Sequence, residues 1–270
     1  MSAFIASLNS GSNGNCYYVG TTTDAVLIDA GISCKETEKR MQRLNLSMSK
    51  VRAIFITHEH IDHIKGVEVL SRRYDLPVYI TAGTLGNSHM RPDVQRTRSF
   101  KAHEPVSIGD MKVTGFPKWH DAADPHSFVI DIDTVRIGVF TDIGAPCEHL
   151  AQYFSGCHAA FLEANYDDEM LENGRYPFHL KKRIKGDHGH LSNAQAVELF
   201  VQHKASHLTH LFLAHLSKDN NHPDVALNAF LHHAGKTSVS VASRYNESEL
   251  FHITGATAKP KEKAVQAVLF

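Results

Sequence analysis

The sequence lacks the features that mark exported or disulfide-stabilised proteins. Residues 1–15 contain no basic segment followed by a long apolar stretch, and no apolar run reaches the length of a membrane-spanning helix. The four cysteines, Cys16, Cys34, Cys147 and Cys157, are far apart and form no CxxC pair. We therefore expect reduced, mostly buried thiols in a cytoplasmic protein.

An excess of charge of one sign is also missing. The 28 lysines and arginines face 29 aspartates and glutamates, which gives a formal net charge of −1. This balance excludes a generally basic protein that coats DNA, although it leaves room for local basic patches.

Short apolar segments and amphipathic segments alternate along the 270 residues, of which 42% are hydrophobic, enough for one large core. Strands are predicted at residues 25–28, 53–56, 78–81, 111–116, 128–132, 135–140, 159–162 and 211–214. The mixed order of strands and helices predicts a single layered α/β domain over residues 1–255. Residues 256–270, rich in lysine and then apolar, are predicted to be a C-terminal tail.

Two helix starts carry a capping signal. Ser33 followed by Glu36 predicts a capping box that opens a helix ending at about Leu46. Ser192 followed by Gln195 predicts a second capping box, ahead of a helix in the last third of the chain.

Histidine is unusually frequent, with 20 copies, and the densest cluster is Thr57-His58-Glu59-His60-Ile61-Asp62-His63. This segment directly follows an apolar run that is typical of a buried strand, and we expect it to form a loop. His58 and His60 are two residues apart, so on an extended segment both rings can face one metal ion. Asp62 and His63 leave in another direction and can bind a second ion. Two ions about 3.5–4 Å apart can activate a water molecule. A metal site therefore explains the cluster better than a polar loop in which the histidines occur by chance.

The pattern His58-x-His60-x-Asp62-His63 resembles the signature of the metallo-β-lactamase superfamily. Residues 27–31, Leu-Ile-Asp-Ala-Gly, resemble the second strand of that superfamily, which ends in an aspartate that supports the metal loop. The resemblance runs along nearly the whole chain. It implies an α/β fold built as a four-layer αββα sandwich, with the site at one edge between the two sheets.

The same resemblance implies the remaining metal ligands. It places His58, His60 and His120 on one ion and Asp62, His63 and His215 on the other, with Asp142 bridging both. The three later ligands each end a predicted strand or lie just beyond one. Histidine with carboxylate suits two divalent ions, zinc or manganese, with iron as a further choice. Other histidines that could take these ligand positions are His126, His188, His190, His210 and His222.

The second half of the chain resembles the nuclease-like branch of the superfamily. There, a glutamate and a histidine placed like Glu163 and His190 form a proton-donating pair, so the expected catalytic residues are Asp62, Glu163 and His190. Cleavage of a phosphodiester leaves an alkoxide that needs a proton, and a carboxylate orients a histidine for that task. From the residues alone, His188 competes with His190, and a hydrogen bond that merely fixes the loop is an equal alternative.

Four segments resemble the WalJ/YycJ-like subgroup of that branch. They are residues 10–16, Glu163-Ala164-Asn165-Tyr166-Asp167, Gly189-His190-Leu191-Ser192-Asn193, and His215-Leu216-Ser217-Lys218-Asp219-Asn220-Asn221. This resemblance implies a 5′-to-3′ exonuclease acting on DNA, and therefore a nucleic-acid partner. Because no apolar run is long enough to span a membrane, we expect no membrane partner. The oligomeric state stays open.

A basic run precedes the segment that contains His190. Its members Lys181, Lys182, Arg183 and Lys185 can grip substrate phosphates, although such runs are more often solvated surfaces. The main alternative function is a hydrolase of small thioesters or lactones, because the same two-metal chemistry can attack a carbonyl. A non-enzymatic binding module is a third alternative, and the full ligand set argues against it.

Overall fold

A computed structural model describes residues 2–91 and 93–255 of the chain. In these ranges, fourteen strands form two seven-stranded sheets. The first sheet contains β1 Ser2–Asn9, β2 Cys16–Gly20, β3 Ala25–Ile28, β4 Val51–Phe55, β5 Val78–Tyr79, β6 Thr97–Arg98 and β14 Phe251–Thr254. The second sheet contains β7 Pro105–Ile108, β8 Met111–Pro117, β9 His126–Ile132, β10 Val135–Phe140, β11 Ala159–Glu163, β12 His210–Ala214 and β13 Ser238–Val241.

Nine α-helices of the described residues cover the two sheets. They are α1 Cys34–Arg43, α2 Ile61–Ile64, α3 Val67–Tyr74, α4 Ala82–Asn87, α5 Glu148–Phe154, α6 Asp168–Asn173, α7 Phe178–Lys185, α8 Asn193–His203 and α9 Pro223–Leu231. A single 3₁₀ turn, Met48–Lys50, leads into β4. In the described ranges, no helix is both long enough and apolar enough to cross a bilayer.

The sheets run in the orders β14-β1-β2-β3-β4-β5-β6 and β13-β12-β11-β10-β9-β8-β7. Pairing is antiparallel at one end of each sheet and parallel from β3 to β6 and from β10 to β13. Alternate side chains of the two sheets pack against each other as the central core. Outer faces pack against α1 and α3 on one side and against α5, α8 and α9 on the other. The predicted four-layer αββα sandwich is therefore confirmed.

Every predicted strand lies on an observed one, and the ends differ by at most two residues. The predicted tail at residues 256–270 lies outside the described residues.

The start of α1 forms only half of the predicted capping box. Ser33 Oγ accepts the backbone N–H of Glu36 at 3.3 Å, as predicted. The Glu36 carboxylate instead accepts Arg40 Nε at 2.8 Å, so the reciprocal bond to the cap is not made. At α8, by contrast, Ser192 and Gln195 form both bonds of the box.

The predicted end of α1 at about Leu46 is wrong, because the helix ends at Arg43. Asn45 adopts a left-handed φ of 55°. The Leu46 N–H donates to Met41 O at 2.9 Å, and the Asn45 N–H donates to Gln42 O at 3.0 Å. These two bonds satisfy the last carbonyls and turn the chain away from the helix axis.

Candidate metal centre

Several strands end at one edge of the sandwich, and their last residues or the next loops meet there. Asp29 follows β3, residues 57–63 follow β4, His120 follows β8, Asp142 follows β10, Glu163 ends β11 and His215 follows β12. Parallel strands place their carboxyl ends at the same edge, which is why residues far apart in sequence converge. The side chains that the resemblance implied as site residues therefore converge at this edge.

The chemistry-bearing side chains of this edge form overlapping groups. Among the described residues, four sets have ligand atoms within 4.8 Å of one another: His58, His60 and His120; Asp62, His63 and His215; His58, His63 and Asp142; and Asp142, Glu163, His190 and His215. The first two sets are the ones expected for the two metal ions. The fourth adds Glu163 and His190 to the same cluster.

Asp142 lies between these sets and is almost fully buried. Its Oδ2 is 3.1 Å from His63 Nε2, and its Oδ1 is 3.7 Å from His120 Nε2 and 3.4 Å from His215 Nδ1. The carboxylate therefore contacts both expected ligand sets: Oδ2 faces His63, and Oδ1 faces His120 of the other set as well as His215.

Asp29 and Thr57 fix the orientation of His58 and His63. The Thr57 hydroxyl donates to Asp29 Oδ2 at 2.8 Å, so its oxygen is left to accept His58 Nδ1–H at 2.9 Å. His63 Nδ1–H donates to the same Asp29 oxygen at 2.7 Å. Because Nδ1 is occupied in both rings, Nε2 is the atom that remains for a metal ion.

His120 and His215 are held in the same way from the second sheet. His120 Nδ1–H donates to Gly189 O at 3.0 Å, and His215 Nδ1–H donates to Glu163 Oε1 at 3.0 Å. In both rings Nε2 again remains for a ligand. A histidine that donates one ring N–H to a fixed acceptor is typical of metal sites.

Three buried atoms of the centre have no partner in hydrogen-bond geometry among the described residues: His120 Nε2, Asp142 Oδ2 and His215 Nε2. Buried polar atoms are otherwise nearly always satisfied. His58 Nε2 and His60 Nδ1 also face each other at 3.0 Å. These atoms are the ones that divalent ions would engage, so the donor set fits the metals that the resemblance implies.

The charges of the cluster divide the histidines into two kinds. Burial lowers the pKa of His58 well below its ordinary value and that of His120 to about 3, so both rings are neutral. For His63, burial acts in the same direction, but Asp142, Asp29 and Asp62 outweigh it and raise the pKa to about 10. Without metal, the acidic side of the centre therefore holds protons where a cation would bind.

Three residues of the centre adopt left-handed backbone conformations although none is glycine. Asp29 has φ 61°, Asp142 has φ 55° and His215 has φ 54°, each directly after its strand or one residue beyond it. Such conformations cost free energy and cluster at functional sites. Each one turns the chain sharply at the sheet edge.

The loop predicted at residues 57–63 is partly helical, because Asp62 and His63 lie in the one-turn helix α2. Gly31 makes that placement possible. A Cβ at Gly31 would lie 1.6 Å from Asp62 O, so the backbone of α2 passes against a position that only glycine can occupy.

Sequence reasoning missed two polar residues that support the centre. Asn15 Nδ2 lies 3.2 Å from Asp62 Oδ2 and 3.1 Å from His63 Nε2. Lys118 is buried, and its Nζ donates to Thr141 O at 2.6 Å, directly before Asp142. Asn15 lies in the segment 10–16 that resembles the WalJ/YycJ-like subgroup, but the sequence alone assigned it no role.

The structure brings Glu163 and His190 together and leaves His188 apart. His190 Nδ1 is 2.8 Å from Glu163 Oε1, the same oxygen that accepts His215. His188 contacts the His120 carbonyl at 3.4 Å and the Trp119 ring. Burial raises the pKa of Glu163, but the His190 charge and the hydrogen bonds from His190 and His215 hold it at about 2.

The other competing histidines have different surroundings. His126 contacts the Asp124 carbonyl at 3.0 Å, and His210 stacks on Phe212. His222 caps α9. Like His188, none of these three belongs to a ligand group among the described residues.

The basic run lies at the C-terminal end of α7, beside the centre. Arg183 Nε donates to Asp121 Oδ2 at 2.6 Å, and Asp121 Oδ1 is 3.3 Å from His120 Nε2. Lys185 Nζ pairs with Glu172 at 3.0 Å, and Lys181 Nζ donates to the Glu172 carbonyl at 2.5 Å. These three cations are thus engaged with the protein, in contrast to the exposed Lys182, for which no such partner is seen in the described part of the chain.

Comparison with known proteins places this geometry in a family. Residues 24–215 match the family model described as beta-lactamase superfamily domain. Exodeoxyribonuclease YycJ of Bacillus anthracis is 38% identical over 222 residues, which cover 81% of this chain and 84% of the relative. Exodeoxyribonuclease WalJ of Streptococcus pneumoniae is 34% identical, and the alignment covers 81% of this chain and 83% of that relative.

A solved structure shares the fold at low identity. The metallo-beta-lactamase fold protein YhfI from Bacillus subtilis superposes with a TM-score of 0.73 and 13% identity, and the alignment covers 93% of this chain and all of that one. The family match, the two relatives and the shared sandwich agree with the histidine and aspartate centre. The chain belongs to the metallo-β-lactamase superfamily, in the group that includes YycJ and WalJ.

Proposed function

We propose that this chain is a metal-dependent hydrolase of phosphodiester bonds in nucleic acid and, more narrowly, an exonuclease that degrades DNA from the 5′ end. Two relatives that align over most of the chain are named exodeoxyribonucleases. The structural observation that carries the proposal is the contact between Glu163 and His190 at the metal centre. A histidine in that position suits the protonation of a nucleotide leaving group.

The cytoplasmic location expected from the sequence stays a prediction.

We assign His58, His60 and His120 to one metal ion and Asp62, His63 and His215 to the second, with Asp142 shared between them. Nitrogen and carboxylate ligands of this kind favour zinc or manganese and also permit iron. When bound, the ions supply Lewis-acid activation of water and neutralise the charge that develops on the phosphate.

Asp62 is the ligand with a second task. Its side chain is 17% exposed, and its Oδ2 lies 3.6 Å from Nε2 of both His63 and His215. Asn15 Nδ2 donates a hydrogen bond to this carboxylate oxygen at 3.2 Å. The carboxylate can therefore hold a cation and also orient the attacking water by accepting a hydrogen bond from it.

His190 is the proton donor to the leaving oxygen. Its side chain is 21% exposed, whereas Glu163 is fully buried, so the imidazole reaches substrate while the carboxylate stays behind it. The hydrogen bond to Glu163 orients the ring through Nδ1. Nε2 then faces outward and can release its proton at the departing alkoxide.

The members of the basic run differ in whether they are free to contact a phosphate. Arg183 is bound to Asp121, which lies next to a metal ligand, so this arginine borders the mouth of the centre. The exposed Lys182 is the member of the run that can contact a phosphate without breaking an ion pair.

The first test is metal-dependent degradation of DNA and RNA oligonucleotides labelled at the 5′ or 3′ end, in single- and double-stranded form. We expect mononucleotides to be released from the 5′ end of DNA by protein loaded with zinc or manganese. The double variant Asp62→Ala, His63→Ala should be inactive. Cleavage of S-lactoylglutathione with no cleavage of any nucleic acid would instead identify a thioesterase.

The proton donor is tested with a leaving group that needs no proton. His190→Ala should lower turnover on DNA by about 10²–10⁴-fold, because general acid catalysis is lost. On bis(4-nitrophenyl) phosphate, whose phenolate leaves unassisted, the loss should be much smaller. The control His207→Ala removes an exposed histidine far from the ligand groups. An equal loss on both substrates would contradict the assignment.

A further inference from the structure

A cavity adjoins the metal centre on the side of the first strand. It has a volume of about 400 Å³ and lies between the loop after β12 and the loop after β13. This volume falls within the range of small-ligand pockets, about 300–1,000 Å³. Ser10 lines the cavity, and its hydroxyl accepts the backbone N–H of His215 at 2.8 Å. One wall of the cavity is thus continuous with the backbone of a metal ligand.

The charge of the lining suits an anion. The twelve described residues that line the cavity include the cations Lys218 and Arg244 but neither aspartate nor glutamate. Arg244 Nη2 donates to Ser12 Oγ at 3.3 Å, whereas its Nη1 is buried and has no hydrogen-bond partner among the described residues. The guanidinium fork matches the geometry of phosphate oxygens, so Arg244 can contribute N–H donors to a phosphate bound in the cavity that it lines.

Tyr245 gives the same cavity an aromatic wall. Its side chain is 65% exposed, yet its backbone is fixed on both sides. The Tyr245 N–H donates to Ser243 Oγ at 3.0 Å, and its carbonyl accepts Arg40 Nη2 at 2.9 Å. An exposed aromatic ring on a rigid backbone is a ready platform for a nucleobase.

We propose that this cavity binds the nucleotide next to the scissile bond, with its phosphate on Arg244 and Lys218 and its base against Tyr245. The inference rests on the proposed nuclease function and assigns the cavity a part in it. Because the cavity admits one nucleotide beside the ligand His215, it places the end of a strand at the centre. It would thereby favour cleavage at ends over cleavage within a strand.

The kinetic test compares a DNA oligonucleotide with bis(4-nitrophenyl) phosphate, which carries no nucleotide. Arg244→Ala should lower kcat/KM for DNA about tenfold or more relative to the small diester, mainly through KM. The slope of log KM against log salt should fall by about 0.7–0.9 for the lost phosphate contact. Arg73→Ala, on the outer face of α3 and paired with Glu38, is the control for loss of a surface arginine.

The base contact is tested by photocrosslinking. Metal-loaded protein is irradiated with an oligonucleotide that carries 5-iodo-2′-deoxyuridine at its 5′ end, and the crosslinked residue is mapped by mass spectrometry. We expect the label on Tyr245. Tyr245→Ala should raise KM for DNA by about five- to a hundredfold, and Tyr245→Phe should restore most of the loss because the ring stacks without its hydroxyl.

The outcomes separate this inference from the proposed function. If the parent protein degrades DNA and Arg244→Ala has the same kinetics, the cavity assignment is wrong. A crosslink on Trp119 instead of Tyr245 would also contradict it. Neither result would contradict the nuclease function. Absence of hydrolysis of both DNA and the small diester by metal-loaded protein overturns the nuclease, and with it the role of the cavity.

Discussion

Asp29 offers the sharpest test of how the protein prepares its metal centre. This buried carboxylate accepts three hydrogen bonds and is not itself in any of the ligand groups. Oδ1 accepts Thr57 N–H at 2.8 Å, and Oδ2 accepts both the Thr57 hydroxyl at 2.8 Å and His63 Nδ1–H at 2.7 Å. The substitution Asp29→Asn keeps the shape of the side chain and replaces one acceptor oxygen with a donor.

The expected loss of metal affinity follows from where the proton of the His63 ring is placed. If the introduced amide nitrogen takes the place of Oδ2, its N–H faces His63 Nδ1, and the ring can accept that hydrogen bond only as the tautomer protonated on Nε2. That proton then occupies the atom needed for the metal. Loss of such a support typically lowers metal affinity about 10–100-fold. Misplacing a hydrogen bond to a buried charged group destabilises the fold by about 1–3 kcal/mol.

The assay is competition for zinc against a chromophoric chelator, with the folded state checked by circular dichroism. Asp24→Asn is the matched control, because Asp24 lies at the opposite end of β3 and pairs with the exposed Arg52. We expect the control to bind zinc as the parent does. A dissociation constant for Asp29→Asn within threefold of the parent value would refute the reasoning about the tautomer.

Three further predictions follow from the same centre. Glu163→Gln should lower turnover on DNA about 10²-fold or more, because the oxygen that holds two histidines loses its charge; a change below twofold in steady-state assays would contradict this. Zinc binding at pH 7.5 should release protons from His63, with its pKa of about 10, and from His215, whose pKa lies well above 6.5, so affinity should rise with pH. Calorimetry in buffers of different ionisation enthalpy measures the release, and a buffer-independent enthalpy would exclude it. Gly31→Ala should reduce metal content and melting temperature, since its Cβ meets a carbonyl of α2 at 1.6 Å, whereas Gly86→Ala, with nothing within 4 Å, should not.

The resemblance to the superfamily selected the candidate ligands, whereas local patterns predicted the strands that these residues follow. His120, Asp142 and His215 each follow a short apolar run, and parallel strands bring such ends together without further information. The convergence of these residues could therefore be predicted from the strands alone. The resemblance to a known superfamily supplied the pairing of ligands with two ions, which periodicity alone does not contain.

Supporting contacts could not be predicted, because they join segments that are distant in sequence. Asn15 reaches the metal loop across 47 residues, and Arg183 reaches Asp121 across 62. Nothing in the local pattern of either residue specifies such a partner. Likewise, the end of α1 depended on Asn45, whose side chain tolerates a left-handed backbone that a helical pattern does not reveal.

The left-handed backbone at Asp142 and His215 affects how an inactive enzyme should be made. Alanine there would remove a ligand and also strain the turn, because a Cβ without a short polar side chain disfavours positive φ. Loss of activity in such a variant would mix missing chemistry with a displaced sheet edge. Asparagine, which tolerates this conformation, changes mainly the ligand, so Asp142→Asn and His215→Asn are the informative reference proteins for studies of substrate binding without turnover.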